Sequence, residues 1–167
     1  MAGRIPDRPT KEMLLSLVPD LEIRNFLIDD GWQDIRKHSS RLQGQLYSFD
    51  CWDGMGASMP DVVSALKIKG IEEVGVWLTL QGYWWSIDPD SPLAQRYNCM
   101  PHRTARSGQP RGGVVIPLEP AKPEEDQWLP SPEMAGQFWE DWFTEMKSWG
   151  VGFVKVSHRV GFEVLAE

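Results

Sequence analysis

The sequence predicts an α/β protein in which parallel strands alternate with helices. Three apolar runs of strand length each follow a segment with helical spacing, so the order is helix, strand, helix, strand, helix, strand. Such strict alternation favours a parallel sheet joined by right-handed crossovers. With 167 residues, of which 41% are hydrophobic, the chain is long enough to bury the core that this sheet needs.

The first helix and the first strand are predicted between residues 10 and 31. Thr10 is a typical N-cap, and apolar residues with helical spacing follow at 13–18, up to Pro19. The apolar run 26–28 then predicts a short buried strand that ends in Asp-Asp-Gly at 29–31.

The second helix and the second strand follow the same plan. Ser58 is expected to cap a helix from about Pro60 to Lys69, with Gly70 just past its end. Three apolar residues of this helix are expected to face the core: Val62, Val63 and Leu66. The second strand is predicted from about Val74 to Leu80.

A stretch from about 86 to 130 is rich in Pro, Gly and Arg and is predicted to be one long irregular loop. The triplet Ser131-Pro132-Glu133 then predicts the start of the third helix, as a cap, an N1 proline and an acid. Large apolar residues continue this helix at three- and four-residue spacing up to Gly150: Met134, Phe138, Trp142, Met146 and Trp149. The run 151–156 predicts the third strand.

Three strands do not close a (β/α)₈ barrel, which takes about 250 residues. The residues by themselves therefore leave two architectures open, less than half of a barrel or a small open α/β sheet. In both cases we expect one domain over residues 1–167, because no internal repeat, low-complexity tract or linker divides the chain.

Composition argues against several classes of partner. A net charge of -7 disfavours nucleic acid and anionic membrane surfaces. No apolar run approaches the roughly 20 residues that span a bilayer, and residues 1–13 lack the apolar core of a signal peptide. The two cysteines, Cys51 and Cys99, lie far apart, as expected in a reducing compartment. The sequence therefore predicts a cytoplasmic protein.

Polar and aromatic side chains follow the first two predicted strands, where parallel α/β proteins carry their functional residues. Asp29 and Asp30 can accept hydrogen bonds from sugar hydroxyls while the ring of Trp32 packs on a C–H face. The alternative is an ordinary turn, since Asp-Gly is a common turn dipeptide. Trp77 within the second strand, and Tyr83 and Trp84 after it, either line a pocket or pack between sheet and helix.

The third predicted strand carries Lys155 and Ser157, which point the same way because side chains on a strand alternate. A Ser–Lys nucleophile would need a strained elbow or an oxyanion-hole signal, and neither is found. The sequence also lacks a phosphate-binding glycine fingerprint. The three histidines, His38, His102 and His158, are not spaced as metal ligands are. We therefore predict neither a metal nor a cofactor.

Three segments carry, in order, the motifs of a known family. Residues 26–33, Phe-Leu-Ile-Asp-Asp-Gly-Trp-Gln, resemble a second-strand motif, and residues 76–84 are similar to a third-strand Val-Trp-His-Ala-Leu-x-Gly-Tyr-Trp segment. Residues 151–156 resemble a Gly-x-x-x-Val-Lys-Val stretch of the fourth strand. The family is that of the raffinose synthases and alkaline α-galactosidases, also called seed imbibition proteins. The resemblance covers about residues 10–160 and implies an incomplete (β/α)₈ TIM barrel, strands two to four.

The resemblance also implies a chemistry, which is retaining galactosyl hydrolysis or transfer on α-galactosides. It assigns Asp29 and Asp30 to hydrogen bonds with galactose hydroxyls, and Lys155 to another contact with the sugar. It places three aromatic residues around the galactose subsite: Trp32, Trp77 and Trp84. We therefore expect the two carboxylates to share a cleft with Trp77 and Lys155.

Two departures from the family indicate that the chain is inactive alone. Ser157 stands where the family has the nucleophilic Asp, and Leu78 and Thr79 stand where it commonly has His and Ala. The acid/base carboxylate belongs to a later strand, which we expect to lie outside this chain. The alternative function is thus that of an inactive remnant or sugar-binding module from a truncated gene. Open, apolar sheet edges are expected to make the chain self-associate.

Overall fold

The computed structural model describes residues 8–18, 23–36, 44–103 and 126–157. In chain order the first elements are α1 (Lys11–Ser16), β1 (Asn25–Ile28), β2 (Gln33–Arg36), β3 (Gln45–Cys51), a short 3₁₀ turn (Asp53–Met55), α2 (Met59–Ile68) and β4 (Glu73–Thr79). They are followed by α3 (Pro92–Arg96), β5 (Met100–Arg103), β6 (Asp126–Leu129), α4 (Ala135–Ser148) and β7 (Phe153–Ser157). The fold is a mixed α/β one.

The central sheet contains the three predicted strands in the order β1-β4-β7, all parallel. Ile28 pairs with Val76, and Val76 pairs in turn with Val154, so the three strands run side by side. At the carboxyl end Thr79 pairs with Ser157. The predicted parallel sheet is confirmed.

The two faces of this sheet differ in how they are covered. On one face Val74, Val76 and Leu78 are fully buried and share a core with apolar residues of α2 and α4. The opposite face carries Gly75, Trp77 and Thr79 with their β7 neighbours, because side chains alternate along a strand. There the Phe153 ring lies over Gly75, where any Cβ would collide with it, and remains 38% exposed.

The caps of the first two helices agree with the sequence. The Thr10 hydroxyl accepts a hydrogen bond from the Met13 amide at 3.2 Å, and the Ser58 hydroxyl accepts one from the Asp61 amide at 3.4 Å. Gly70 follows α2 with a φ of 98°, which favours glycine. These caps satisfy amides that the first helical turn leaves without partners.

The start of α4, the third of the predicted helices, differs from the prediction. Helix α4 begins at Ala135, and the cap position is taken by Met134, which makes no side-chain cap. Ser131 is buried, its carbonyl accepts from the Met134 amide at 2.9 Å, and its hydroxyl hydrogen-bonds Glu133. The Ser-Pro-Glu triplet therefore forms a tight turn before the helix, since the serine hydroxyl is used by the neighbouring carboxylate.

An antiparallel hairpin of β2 and β3 lies where no element was predicted. Polar residues interrupt the apolar alternation that predicts a strand, and the pairing register of the two strands shifts between Gln33 and Ile35. Leu46 of β3 docks on the chain after β4, where its amide donates to Ser86 and its carbonyl accepts from Asp88, both at 2.9 Å. These contacts with residues about 40 positions along the chain hold the hairpin, which explains why the local sequence pattern did not predict it.

The segment 86–130 contains more regular structure than predicted. Its described residues include α3 and the antiparallel pair of β5 and β6. The pair is tied to the chain after β4 by a hydrogen bond from the Ile87 amide to the Trp128 carbonyl at 3.1 Å. The remainder, residues 104–125, lies outside the described residues. Among the described residues, no helix combines the length and hydrophobicity that crossing a bilayer requires.

Candidate functional site

The turn after β1 presents the two predicted carboxylates at the carboxyl end of the central sheet. Gly31 adopts a φ of 99°, a left-handed conformation that side chains with a Cβ rarely take. The Asp29 carboxylate accepts from the Asp30 amide at 2.9 Å, which keeps the turn tight. Both Asp side chains are exposed.

Asp29 forms an ion pair with Lys155 of β7, with a distance of 2.8 Å between Nζ and Oδ2. The pair joins the two outer strands across the end of β4 and stays open to solvent, with the side chains 48% and 56% exposed for Lys155 and Asp29. Partial burial opposes ionisation of Asp29, but hydrogen bonds from Lys155 and the Asp30 amide outweigh it and lower the pKa of this carboxyl group. The site thus offers a fixed acceptor beside a fixed donor.

Asp30 makes contacts of a different kind. Its two carboxylate oxygens accept from the Tyr83 hydroxyl at 2.8 Å and from the Trp84 indole at 2.7 Å. Burial raises the pKa of Tyr83, and the charge of Asp30 raises it further, so the phenol remains a donor at neutral pH. Asp30 therefore fastens the turn after β1 to the chain that follows β4.

Two tryptophan rings form a wall beside the carboxylates. The rings of Trp77 and Trp84 lie 4.9 Å apart at 41°. The Trp77 indole donates to the Ser157 hydroxyl at 3.0 Å, and Trp77 is only 2% exposed. Trp84 is half-buried, so it is the ring of this wall that offers its surface to a ligand.

Trp32 is not a ring of this wall. It is fully buried, donates from its indole to the Trp77 carbonyl at 2.8 Å, and packs edge-on against Trp149 at 6.1 Å. Strand β1 pairs with β4 only as far as Val76, which leaves the Trp77 carbonyl open to side-chain donors. The side-chain Nε2 of Gln33 donates to the Trp77 carbonyl as well, at 3.2 Å. Trp32 is a core residue beneath the site, and the expected stacking surface is absent at this position.

The two substituted positions of β4 are both buried. Leu78 belongs to the core face, and Thr79 lies next to Ser157 in the sheet. The Thr79 hydroxyl has no hydrogen-bond partner within the described part of the chain. Neither side chain reaches the exposed surface where Asp29 and Lys155 meet.

Two residues that were not among the predicted site residues also contact the turn that bears the carboxylates, Tyr83 and Arg8. Tyr83 was visible in the Gly-Tyr-Trp motif, where a tyrosine that can donate to a carboxylate was a usable signal. The Nε of Arg8 donates to the Gly31 carbonyl at 2.9 Å. The two residues are 23 positions apart, so no local sequence pattern predicts this contact.

Metal ligation finds no support in the described ranges, where no three His, Cys, Asp or Glu side chains converge. His102 lies in β5, whereas His38 and His158 fall outside the residues that the structure describes. What the site offers is a carboxylate, an ammonium group and an indole face, a combination suited to a polyhydroxylated ligand.

Neither a protein-family model nor a curated protein matches this sequence. Among solved structures, the chain is similar to the crystal structure of the alpha-galactosidase from Lactobacillus brevis, with a TM-score of 0.55 and 16% sequence identity. The alignment covers 95% of this chain and 20% of that one, so the chain spans about a fifth of the length of the enzyme it matches. At this identity the likeness is one of fold.

Proposed function

We propose that this chain is the galactose-binding part of an α-galactosidase-like barrel and binds the galactosyl end of α-galactosides without cleaving them by itself. The observation that carries the proposal is the Asp29–Lys155 pair beside the Trp84 ring, at the carboxyl end of a parallel sheet. The fold likeness to an alpha-galactosidase supports it.

The chemistry of the pair suits a sugar. Neighbouring hydroxyls of a pyranose can donate to a carboxylate and accept from an ammonium group at the same time. Asp29 keeps acceptor capacity beyond its bond to Lys155, and Lys155 keeps two further N–H donors. The half-buried Trp84 ring supplies the apolar surface for a C–H face of the sugar.

Ser157 argues for binding rather than turnover. Retaining glycosidases need two carboxyl groups about 5 to 5.5 Å apart, one to attack and one to transfer the proton. At the position of the expected nucleophile the Ser157 hydroxyl accepts a hydrogen bond from the Trp77 indole, and an indole N–H cannot act as a base. The proposal therefore assigns Ser157 to holding Trp77.

For the architecture, we propose strands two to four of a (β/α)₈ barrel within one domain over residues 1–167. Support comes from the parallel order β1-β4-β7 and from the difference between the two sheet faces. The free thiols of Cys51 and Cys99 support a cytoplasmic location. Raffinose synthase or galactosyl transfer activity of a longer protein stays a prediction from the sequence resemblance.

The test is titration of the purified chain with methyl α-galactoside, followed by tryptophan fluorescence or calorimetry. We expect a Kd of the order of 1 mM, about -4 kcal/mol, as for a small exposed site. Asp29→Asn and Lys155→Met should each weaken binding at least tenfold, because each removes a charged group that hydrogen-bonds the sugar hydroxyls and leaves the other group without the partner that orients it. Methyl α-glucoside, which differs only at C4, should bind more weakly than the galactoside.

The matched control is Glu72→Gln, which removes another exposed ion pair, Arg24–Glu72 at 3.4 Å. This pair lies at the amino end of β1 and β4, opposite the end that carries Asp29. It should leave the Kd within twofold of the original. Absence of galactoside binding up to high millimolar concentrations would overturn the proposal. Equal weakening by Glu72→Gln and Asp29→Asn would also do so, since the effect would then be one of general stability.

A further inference from the structure

We infer that Arg8 is a positioning residue of the sugar site, which holds the turn bearing Asp29 and Asp30 in the geometry that the ligand needs. The inference rests on the proposed function, because it names a residue that prepares that same site. Arg8 lies outside every motif of the sequence and touches neither carboxylate through a described hydrogen bond.

The guanidinium group of Arg8 spans the exit of the turn. Its Nε donates to the Gly31 carbonyl at 2.9 Å, and its Nη2 donates to the Gln33 carbonyl. The carbonyl between them, that of Trp32, accepts from the Trp52 backbone amide at 3.1 Å. Three consecutive carbonyls after the carboxylates are therefore held by donors from outside the turn, two of them by one planar side chain.

The position of Arg8 is itself determined by Trp52. The guanidinium carbon lies 4.4 Å from the centroid of the Trp52 ring, in cation–π contact. The Trp52 indole donates to the carbonyl of Pro9, the next residue, at 3.0 Å. Pro9 in turn lies against Gly31, with its Cδ 3.4 Å from where a Cβ would be. The segment 8–9 thus forms a clamp on the turn.

The charge of Arg8 acts on the same region. Burial lowers the pKa of Arg8, and the nearby side chains of Tyr83, Asp34 and Asp30 act in the opposite direction. The guanidinium is therefore close enough to act electrostatically on both partners of the Asp30–Tyr83 hydrogen bond. A planar fork that bonds two carbonyls is a geometry that lysine cannot reproduce with its single ammonium group. Lysine at this position would keep the charge and lose the fork.

The experiment compares Arg8→Gln, Arg8→Lys and Arg96→Gln in the full chain. Arg96 is the matched control, since it is an exposed arginine that pairs with Asp141 and lies away from the turn. Two quantities are measured for each variant: the Kd for methyl α-galactoside, and the pKa of Asp29 by NMR of the carboxyl carbon.

We expect Arg8→Gln to weaken binding at least fivefold and to raise the pKa of Asp29, because a loosened turn separates Asp29 from Lys155. Arg8→Lys should give intermediate values of both quantities. Arg96→Gln should change neither, whatever its melting temperature. The Asp29 pKa reports the site geometry without any sugar, and loss of stability elsewhere does not move it.

Three outcomes would overturn the inference. One is an Asp29 pKa that does not move in Arg8→Gln. Another is full restoration of both quantities in Arg8→Lys, which would make the charge, rather than the fork, responsible. The third is a raised Asp29 pKa with an unchanged Kd. If the unmodified chain binds no galactoside, the proposed function fails, while the Asp29 pKa in the three variants still decides whether Arg8 positions the turn.

Discussion

The assignment of Trp32 to the core and of Trp84 to the site can be separated by experiment. Trp32→Phe removes a fully buried indole, its 2.8 Å hydrogen bond to the Trp77 carbonyl and part of its edge contact with Trp149. Truncating a buried aromatic residue to Ala costs about 3–5 kcal/mol, and Phe retains more than half of the ring volume. The Trp77 carbonyl keeps its bond from Gln33, so the lost hydrogen bond adds only about 1 kcal/mol. We expect Trp32→Phe to lower the free energy of unfolding by about 2–3 kcal/mol.

Trp84→Phe is the matched comparison, because it makes the same chemical change in a half-buried ring. It loses one hydrogen bond to the exposed Asp30 carboxylate, which predicts a loss of about 1 kcal/mol. Urea unfolding followed by far-ultraviolet circular dichroism measures both values, and titration with methyl α-galactoside measures the Kd of each folded variant. Trp32→Phe should leave the Kd within twofold, whereas Trp84→Phe should weaken binding severalfold. The reasoning is refuted if Trp32→Phe costs less than about 0.5 kcal/mol while sugar binding is lost, since a buried indole cannot be removed so cheaply.

The other predictions concern pH, catalysis and association. The folded pKa of Asp29 is lowered, so its pair with Lys155 stabilises the chain above the ordinary Asp pKa of about 3.9 and is lost as pH falls through the folded value. The pair is exposed, so it should contribute about 0.2–1 kcal/mol to the unfolding free energy in an acid titration, and this contribution should be missing in Lys155→Met. An acid limb that is the same in that variant and in the unmodified chain would contradict this. Neither the chain nor Ser157→Asp should release nitrophenol from an aryl α-galactoside, because retaining chemistry needs two carboxyl groups acting together; activity that follows the protein through purification would show an unrecognised nucleophile. Strands β1 and β7 are the edges of the described sheet, and Phe153 and Val156 of β7 are exposed, so sedimentation should show association that rises with concentration and falls in Phe153→Lys; an ideal monomer at all concentrations would disprove it.

The sequence by itself determined the elements whose signals are local. A capping residue and the first turn that it caps lie within four residues of each other, so Thr10 and Ser58 predict the starts of α1 and α2 directly. The three central strands come from short runs rich in apolar residues, and their alternation with helices predicts the parallel sheet that the structure contains. The adjacency of Asp29 and Asp30 at a strand end was likewise a local observation.

Only the tertiary structure decided what each of these residues does. Asp29 and Lys155 are separated by 126 residues, and Asp30 and Trp84 by 54, so two adjacent and chemically identical carboxylates acquire different partners. Trp32 is buried because β1 ends before β4 does and leaves a carbonyl that its indole reaches. A residue's pattern along the chain reports its own conformational preference, whereas burial and hydrogen-bond partners depend on which distant segments pack beside it.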